Sequence, residues 1–74
     1  DFNGAIKTEL KAFGGKIHAS NVDTATEINI YSITGALVKQ IKTSSNIDFD
    51  MKPGLWLAKI KTDKGIKSLK LLTQ

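Results

Sequence analysis

Apolar and polar residues alternate one for one through most of this chain, and turn-forming residues interrupt the alternation at short intervals. A period of two is that of a β-strand with one wet face. Over residues 5–13, Ile6, Thr8, Leu10 and Ala12 share one side, and Lys7, Glu9 and Lys11 the other. Gly14-Gly15 follows, a pair suited to a two-residue hairpin turn because such turns need positive φ. Lys16–Ser20 is the predicted return strand, with Ile17 and Ala19 inward. Residues 21–26 (NVDTAT) are polar and read as a loop, too short and too rich in β-branched residues for a helix. Residues 27–33 form the next strand, with Ile28 and Ile30 toward the core, Asn29 and Tyr31 facing away, and the pattern breaking near Ile33. Thr34-Gly35 is read as a tight turn. Residues 36–42 then run back with Leu37, Lys39 and Ile41 on one face and Val38 and Gln40 on the other. Beyond Thr43-Ser44-Ser45, residues 46–50 make a short strand in which Ile47, Phe49 and then Met51 alternate with Asp48 and Asp50.

Residues 52–72 (KPGLWLAKIKTDKGIKSLKLL) read as one long hairpin opened by Pro53-Gly54. Gly54–Thr62 is its first strand, Asp63-Lys64-Gly65 its turn, and residues 66–72 its return. Trp56, Ala58, Ile60 and Thr62 share one face of the first strand, and Leu55, Leu57, Lys59 and Lys61 the other. In the return strand Leu69 and Leu71 oppose Ile66, Ser68, Lys70 and Leu72. Seven short strands without a helix predict an all-β fold, a seven-stranded antiparallel β-sandwich of Ig-like architecture. Its edge strands leave N–H and C=O groups open to strand addition, including self-association through an edge.

Composition narrows what such a sandwich does. With 74 residues and no cysteine, the chain is one small domain held by packed apolar side chains, without disulfides or zinc–thiolate sites. The net charge of +4 is carried by lysine, with no arginine. It is uneven: residues 1–35 balance at −1, residues 36–74 at +5. A lysine face keeps a β-protein soluble and blunts its edges. Specific nucleic-acid reading relies on the bidentate arginine that is missing here, so no nucleic-acid partner is expected. No apolar run approaches the ~20 residues of a membrane span.

Catalytic chemistry is not legible. His18, the only histidine, sits on the outer face of a strand without His or carboxylate companions at helical or hairpin spacing. Asp48 and Asp50 share a strand face, an arrangement that serves a cation or shares a proton but more often is a solvated pair, with Lys52 near enough in sequence to pair with them. The glycines at positions 14, 15 and 65 do not open helices and are not phosphate loops. No enzyme, metal site or cofactor is expected. Tyr31 and Trp56 are the aromatics able to stack on a sugar, although Trp56 is the large side chain a small core needs and Phe2 precedes the first strand.

Three segments arrive in a telling order. Residues 28–38 (INIYSITGALV) resemble a hydrophobic-x-hydrophobic-Tyr-x-x-x-Gly-x-hydrophobic-Val hairpin. Residues 53–60 (PGLWLAKI) resemble a Pro-x-Gly-x-Tyr type strand, with the glycine directly after the proline and Trp56 in the aromatic place. Residues 65–72 (GIKSLKLL) resemble a closing Gly-x-x-x-x-Lys-hydrophobic-hydrophobic strand. Together they resemble the type A C-terminal sorting domain of cargo proteins of the type IX (Por) secretion system of Bacteroidetes such as Porphyromonas. The resemblance implies that residues 1–74 are the tail of a larger secreted protein. It implies transit through the periplasm, recognition by the outer-membrane translocon, removal by a sortase-like cysteine protease, and a cargo secreted or held at the surface on anionic lipopolysaccharide. Carried over, the signal positions are Tyr31, Gly35, Pro53, Gly54, Trp56, Gly65, Lys70, Leu71 and Leu72. Lys59, Lys61 and Lys67 join Lys70 as the expected contact face. An Ig-like adhesion or carbohydrate-binding module using Tyr31 or Trp56 is the alternative.

Overall fold

The computed structural model describes residues 6–74, so Phe2 and the expected start of the first strand at Ala5 lie outside the described residues. Seven strands follow one another: β1 (Glu9–Phe13), β2 (Lys16–Ser20), β3 (Thr26–Tyr31), β4 (Leu37–Thr43), β5 (Ile47–Asp50), β6 (Gly54–Thr62) and β7 (Gly65–Thr73). They form two antiparallel sheets, one ordered β1-β2-β5 and the other β4-β3-β6-β7. Three hairpins, β1–β2, β3–β4 and β6–β7, are local. The pairings β2–β5 and β3–β6 are not, and they decide which hairpin joins which sheet.

Hairpin chemistry accounts for the local pairs. Gly14 and Gly15 take φ of 64° and 75°, the conformation a two-residue turn between twisted strands requires. The alternation expected before this turn persists to Ile6 and Thr8, both buried, yet the ladder begins only at Glu9, opposite Ser20. Asn21, at φ 58°, turns the partner strand away, so residues 6–8 pack without a paired neighbour. The β3–β4 turn is longer than Thr34-Gly35. Ser32 accepts from the Gly35 N–H and donates its own N–H to Ala36 O, both at 2.9 Å. This ends β3 at Tyr31 and leaves Ile33 exposed on the turn.

The sheets bury one contiguous core. Ile17 of β2 and Ile28, Ile30 and Ile60 of β3 and β6 are fully enclosed, with Leu10, Ala19, Phe49, Met51, Ala58 and Leu71 around them. The inward faces agree with the alternation, with two departures. Lys39 and Ile41 keep the core side of β4, but a bulge sets Ile30 opposite Lys39 and Tyr31 opposite Leu37. One extra residue shifts the pleat, so Leu37 lies on the outer face with Tyr31 instead of inward with Lys39 and Ile41. Asn29 faces outward yet is only 6 % exposed. It sits on a central strand between Gln40 and Lys59, and long neighbouring side chains cover a polar group there. Its Nδ2 donates to Glu27 at 2.8 Å. Its Oδ1 is a buried acceptor without a protein partner among the described residues.

Candidate functional site

The residues singled out by motif fall into two clusters on opposite faces of the four-stranded sheet. The first is a knot at the start of the closing hairpin. Pro53 fixes its own φ and keeps Lys52 out of the helical region, which presents the Lys52 carbonyl to the sheet end. Trp56 Nε1 donates to that carbonyl and to Thr73 Oγ1, each at 3.0 Å. Thr73 Oγ1 in turn faces the carbonyls of Lys52 and Gly54. One hydroxyl carries one proton, so it donates to one carbonyl at a time while accepting from the indole. Gly54 takes φ 148°, a backbone conformation that side chains rarely adopt, and a Cβ there would stand in ordinary contact with the indole ring, 3.5 Å away. Trp56 pairs with Leu71 and packs half-buried against the core. Thr73 is the member of this knot that the motifs did not single out. A β-branched hydroxyl residue at a strand end is an ordinary sight in sequence.

The second cluster lies on the outer face. Tyr31, Leu37, Leu57 and Lys70 form one row across all four strands, because Tyr31 pairs with both Leu37 and Leu57, and Leu57 with Lys70. Beside it, Lys59 holds its ammonium 5.7 Å from the Tyr31 ring centroid. Tyr31, Gly35, Leu57, Lys59, Ser68 and Lys70 border a shallow, mainly apolar hollow of about 430 Å³. Tyr31, Gly35 and Lys70, from two motifs distant in sequence, thus meet in one place. Leu72 stands exposed opposite Leu55 on the same face, with Lys61 opposite Ile66. Gly65, at φ 130°, receives the chain from the two-residue turn Asp63-Lys64.

Lys67 does not belong to this face. It pairs with Ile60, on the inward parity of β7, and extends along the sandwich rim to place Nζ 3.4 Å from the Thr8 carbonyl. The expected face of Lys59, Lys61, Lys67 and Lys70 is corrected to Lys59, Lys61 and Lys70. Tyr31 and Trp56 also lie on opposite faces of one sheet, so they do not form a common stacking platform.

On the outer face of the other sheet, β2 and β5 pair their charges across the strands. Lys16 Nζ lies 2.7 Å from Asp50 Oδ1, and His18 Nδ1 lies 2.9 Å from Asp48 Oδ1. The expected pairing with Lys52 is replaced by these cross-strand pairs, since β2 and β5 set Lys16 opposite Asp50 and His18 opposite Asp48. The His18 ring stacks on Phe13 with centroids 3.8 Å apart. Among the described residues, no group of three or more His, Asp, Glu or Cys side chains gathers to hold a metal ion.

The Lys16 hydrogen bond, then its charge, holds the Asp50 carboxyl below its ordinary value of 3.8. The same contact raises Lys16 above its ordinary 10.5. A carboxyl depressed in the folded state contributes stability in full above the unfolded value, and loses it as pH falls through the folded one. The lysine part is present below 10.5 and lost as pH rises through the raised value. Replacing Lys16 by Met should therefore flatten the acid limb of a plot of thermal midpoint against pH below about 4. The effect should be small and should shrink with added salt, because the pair is exposed. Glu27, depressed chiefly by the Asn29 amide, should keep part of the acid slope in that variant.

The family described as "Secretion system C-terminal sorting domain" matches residues 6–74. No curated protein and no solved structure matches the chain. The match runs over both sheets and takes in the Tyr31 row and the Trp56 knot alike, and on that basis the chain belongs to the secretion-system C-terminal sorting domains, the tails that mark cargo for type IX (Por) export.

Proposed function

We propose that residues 1–74 are the address tail of a larger exported protein, read by the outer-membrane translocon of the type IX system after transit through the periplasm. The observation that carries this reading is the family match over the whole sandwich, closing hairpin included. The tail is a substrate of the machinery and has no reaction of its own. After export, a sortase-like cysteine protease removes it and joins the cargo to anionic lipopolysaccharide at the cell surface. The fold is Ig-like in strand order. Strands β1-β2-β5 and β3-β6-β7 take the places of an immunoglobulin constant domain, with β4 transferred to the edge beside β3.

Within the motifs, Pro53, Gly54, Trp56 and Leu71 build one end of the sandwich, and Gly65 completes the hairpin turn at the other. Tyr31, Gly35, Lys70 and Leu72 face the machinery, with Lys59 and Lys61 beside them. A reporter carrying an export signal and this tail should reach the surface or the medium of a type IX-competent host. It should remain cell-associated when residues 71–74 are removed. A reporter retained with the tail intact sinks the sorting function, and undiminished export after the deletion sinks the role of the closing strand.

A further inference from the structure

The two outer faces of the sandwich differ in how their charges are satisfied. On the three-stranded sheet, Lys16 and His18 each meet a carboxylate. On the four-stranded sheet, Glu27 is the one acid in the strand rows, and it lies between Lys42 and Lys61. Lys59 and Lys70 are left flanking the Tyr31–Leu57 row, and among the described residues neither lies in an ion pair. Apolar side chains are exposed on the same face, with Leu37 at 53 % and Leu72 at 60 %. A solvated lysine face has no need of exposed leucines, and a patch that combines the two leaves apolar surface uncovered beside charges free to meet a partner.

We infer that this face docks an acidic segment of a partner protein that seats an apolar side chain in the hollow between Tyr31 and Ser68 and sets carboxylates against Lys59 and Lys70. The inference rests on the sorting reading for the partner's place in export, and on the geometry alone for its chemistry. Charge complementarity selects the occupant. A second copy of the chain would bring lysines against lysines across a two-fold interface. A bilayer leaflet would need apolar groups to project 5–10 Å past the headgroups, roughly the depth of an interfacial helix. Here lysines stand in and beside the apolar row, so no continuous apolar surface is offered to acyl chains. The hollow, about 430 Å³ and bordered by Tyr31, Leu57 and Ser68, has room for an apolar side chain and its neighbours.

The test uses the ¹⁵N-labelled chain and a short synthetic peptide alternating glutamate and leucine, with a lysine–leucine peptide as its counterpart. The acidic peptide should shift the amides of Leu57, Lys59, Ser68 and Lys70, and its affinity should fall as salt is raised. The double variant Lys59→Glu/Lys70→Glu should weaken binding by about tenfold or more, and Lys11→Glu on the opposite sheet should leave it unchanged. If the charge-reversed chain does not fold, Lys59→Gln/Lys70→Gln takes its place with the same direction of effect. Shifts confined to the three-stranded sheet, equal binding of both peptides, or reversal variants that bind as well as the parent overturn the inference. So does a chain whose outer-face amides respond to vesicles of anionic phospholipid and not to the peptide. Export of the tailed reporter separates the two levels. A reporter exported by a chain that ignores the peptide refutes the docking surface and leaves the sorting reading standing. Peptide binding by a tail that exports nothing refutes the sorting reading and leaves the surface.

Discussion

Ile60→Ala should lower the unfolding free energy by about 2–5 kcal/mol, the range for removing a large aliphatic side chain from a close-packed core. Ile60 is fully buried. It lies on β6, between Ile28 of β3 and Lys67 of β7, so neighbours on both sides hold the backbone and limit collapse into the space left behind. Stability in proteins of ordinary size runs at roughly 0.05–0.15 kcal/mol per residue. In a chain of 74 residues, the loss is therefore a large fraction of the whole. The measurement is a urea titration, in which the midpoint should fall with the slope unchanged. Ile66→Ala is the control: Ile66 is 48 % exposed on the outer face, and its loss should stay within about 0.5 kcal/mol. Equal effects at the two positions would mean that the core does not lie between the sheets as described.

Removal of residues 71–74 should have a larger effect still. Leu71 is 6 % exposed and Thr73 4 %, so the deletion takes a core side chain and the hydroxyl that ties Trp56 to the end of the sheet. The first loss alone costs about 2–5 kcal/mol. Each hydrogen bond surrendered adds roughly 1 kcal/mol. The deletion also strips the pairing partners Leu71, Leu72 and Thr73 from Trp56, Leu55 and Gly54, opening a bare edge at the start of β6. The truncated chain should lose its amide chemical-shift dispersion and its cooperative unfolding. A truncated chain that keeps both would show that the closing strand is not part of the fold's support. The result bears on export as well. A retained reporter after this deletion reports an unfolded tail as readily as an unread one. The neutral pair Lys59→Gln/Lys70→Gln, which touches no core group, is the variant that separates reading from folding.

Much of the fold was legible in sequence because the alternation of strand residues is a local property. Parity alone places Ile17, Ile28 and Ile30 inward, and all three are buried; for Ile60 and Leu71 it gives the face they share with their neighbours, and the packing of the sheets makes that face the inner one. Positive φ at Gly14, Gly15 and Gly35 follows from turn chemistry that involves only adjacent residues. The site was legible in a different way. Motif positions named Tyr31, Gly35 and Lys70, while their meeting in one hollow was not readable. Tyr31 and Lys70 are far apart in the chain, and Leu57 of β6 joins them only because β6 pairs with both β3 and β7.

The sequence by itself determined the strands, which residues share a face in most of them, the hairpin turns and the absence of disulfide or zinc–thiolate support, since each depends on residue type and on neighbours a few positions away. The tertiary structure alone decided the rest. It paired His18 with Asp48 and Lys16 with Asp50, buried Asn29 on a central strand, and sent Lys67 to the rim. It also turned Leu37 outward by one bulged residue and gathered Tyr31, Gly35, Leu57 and Lys70 around one hollow. Strand order and register are non-local choices. A period of two says which face a residue takes, but not which strand lies beside it, and a one-residue slip reverses every face that follows.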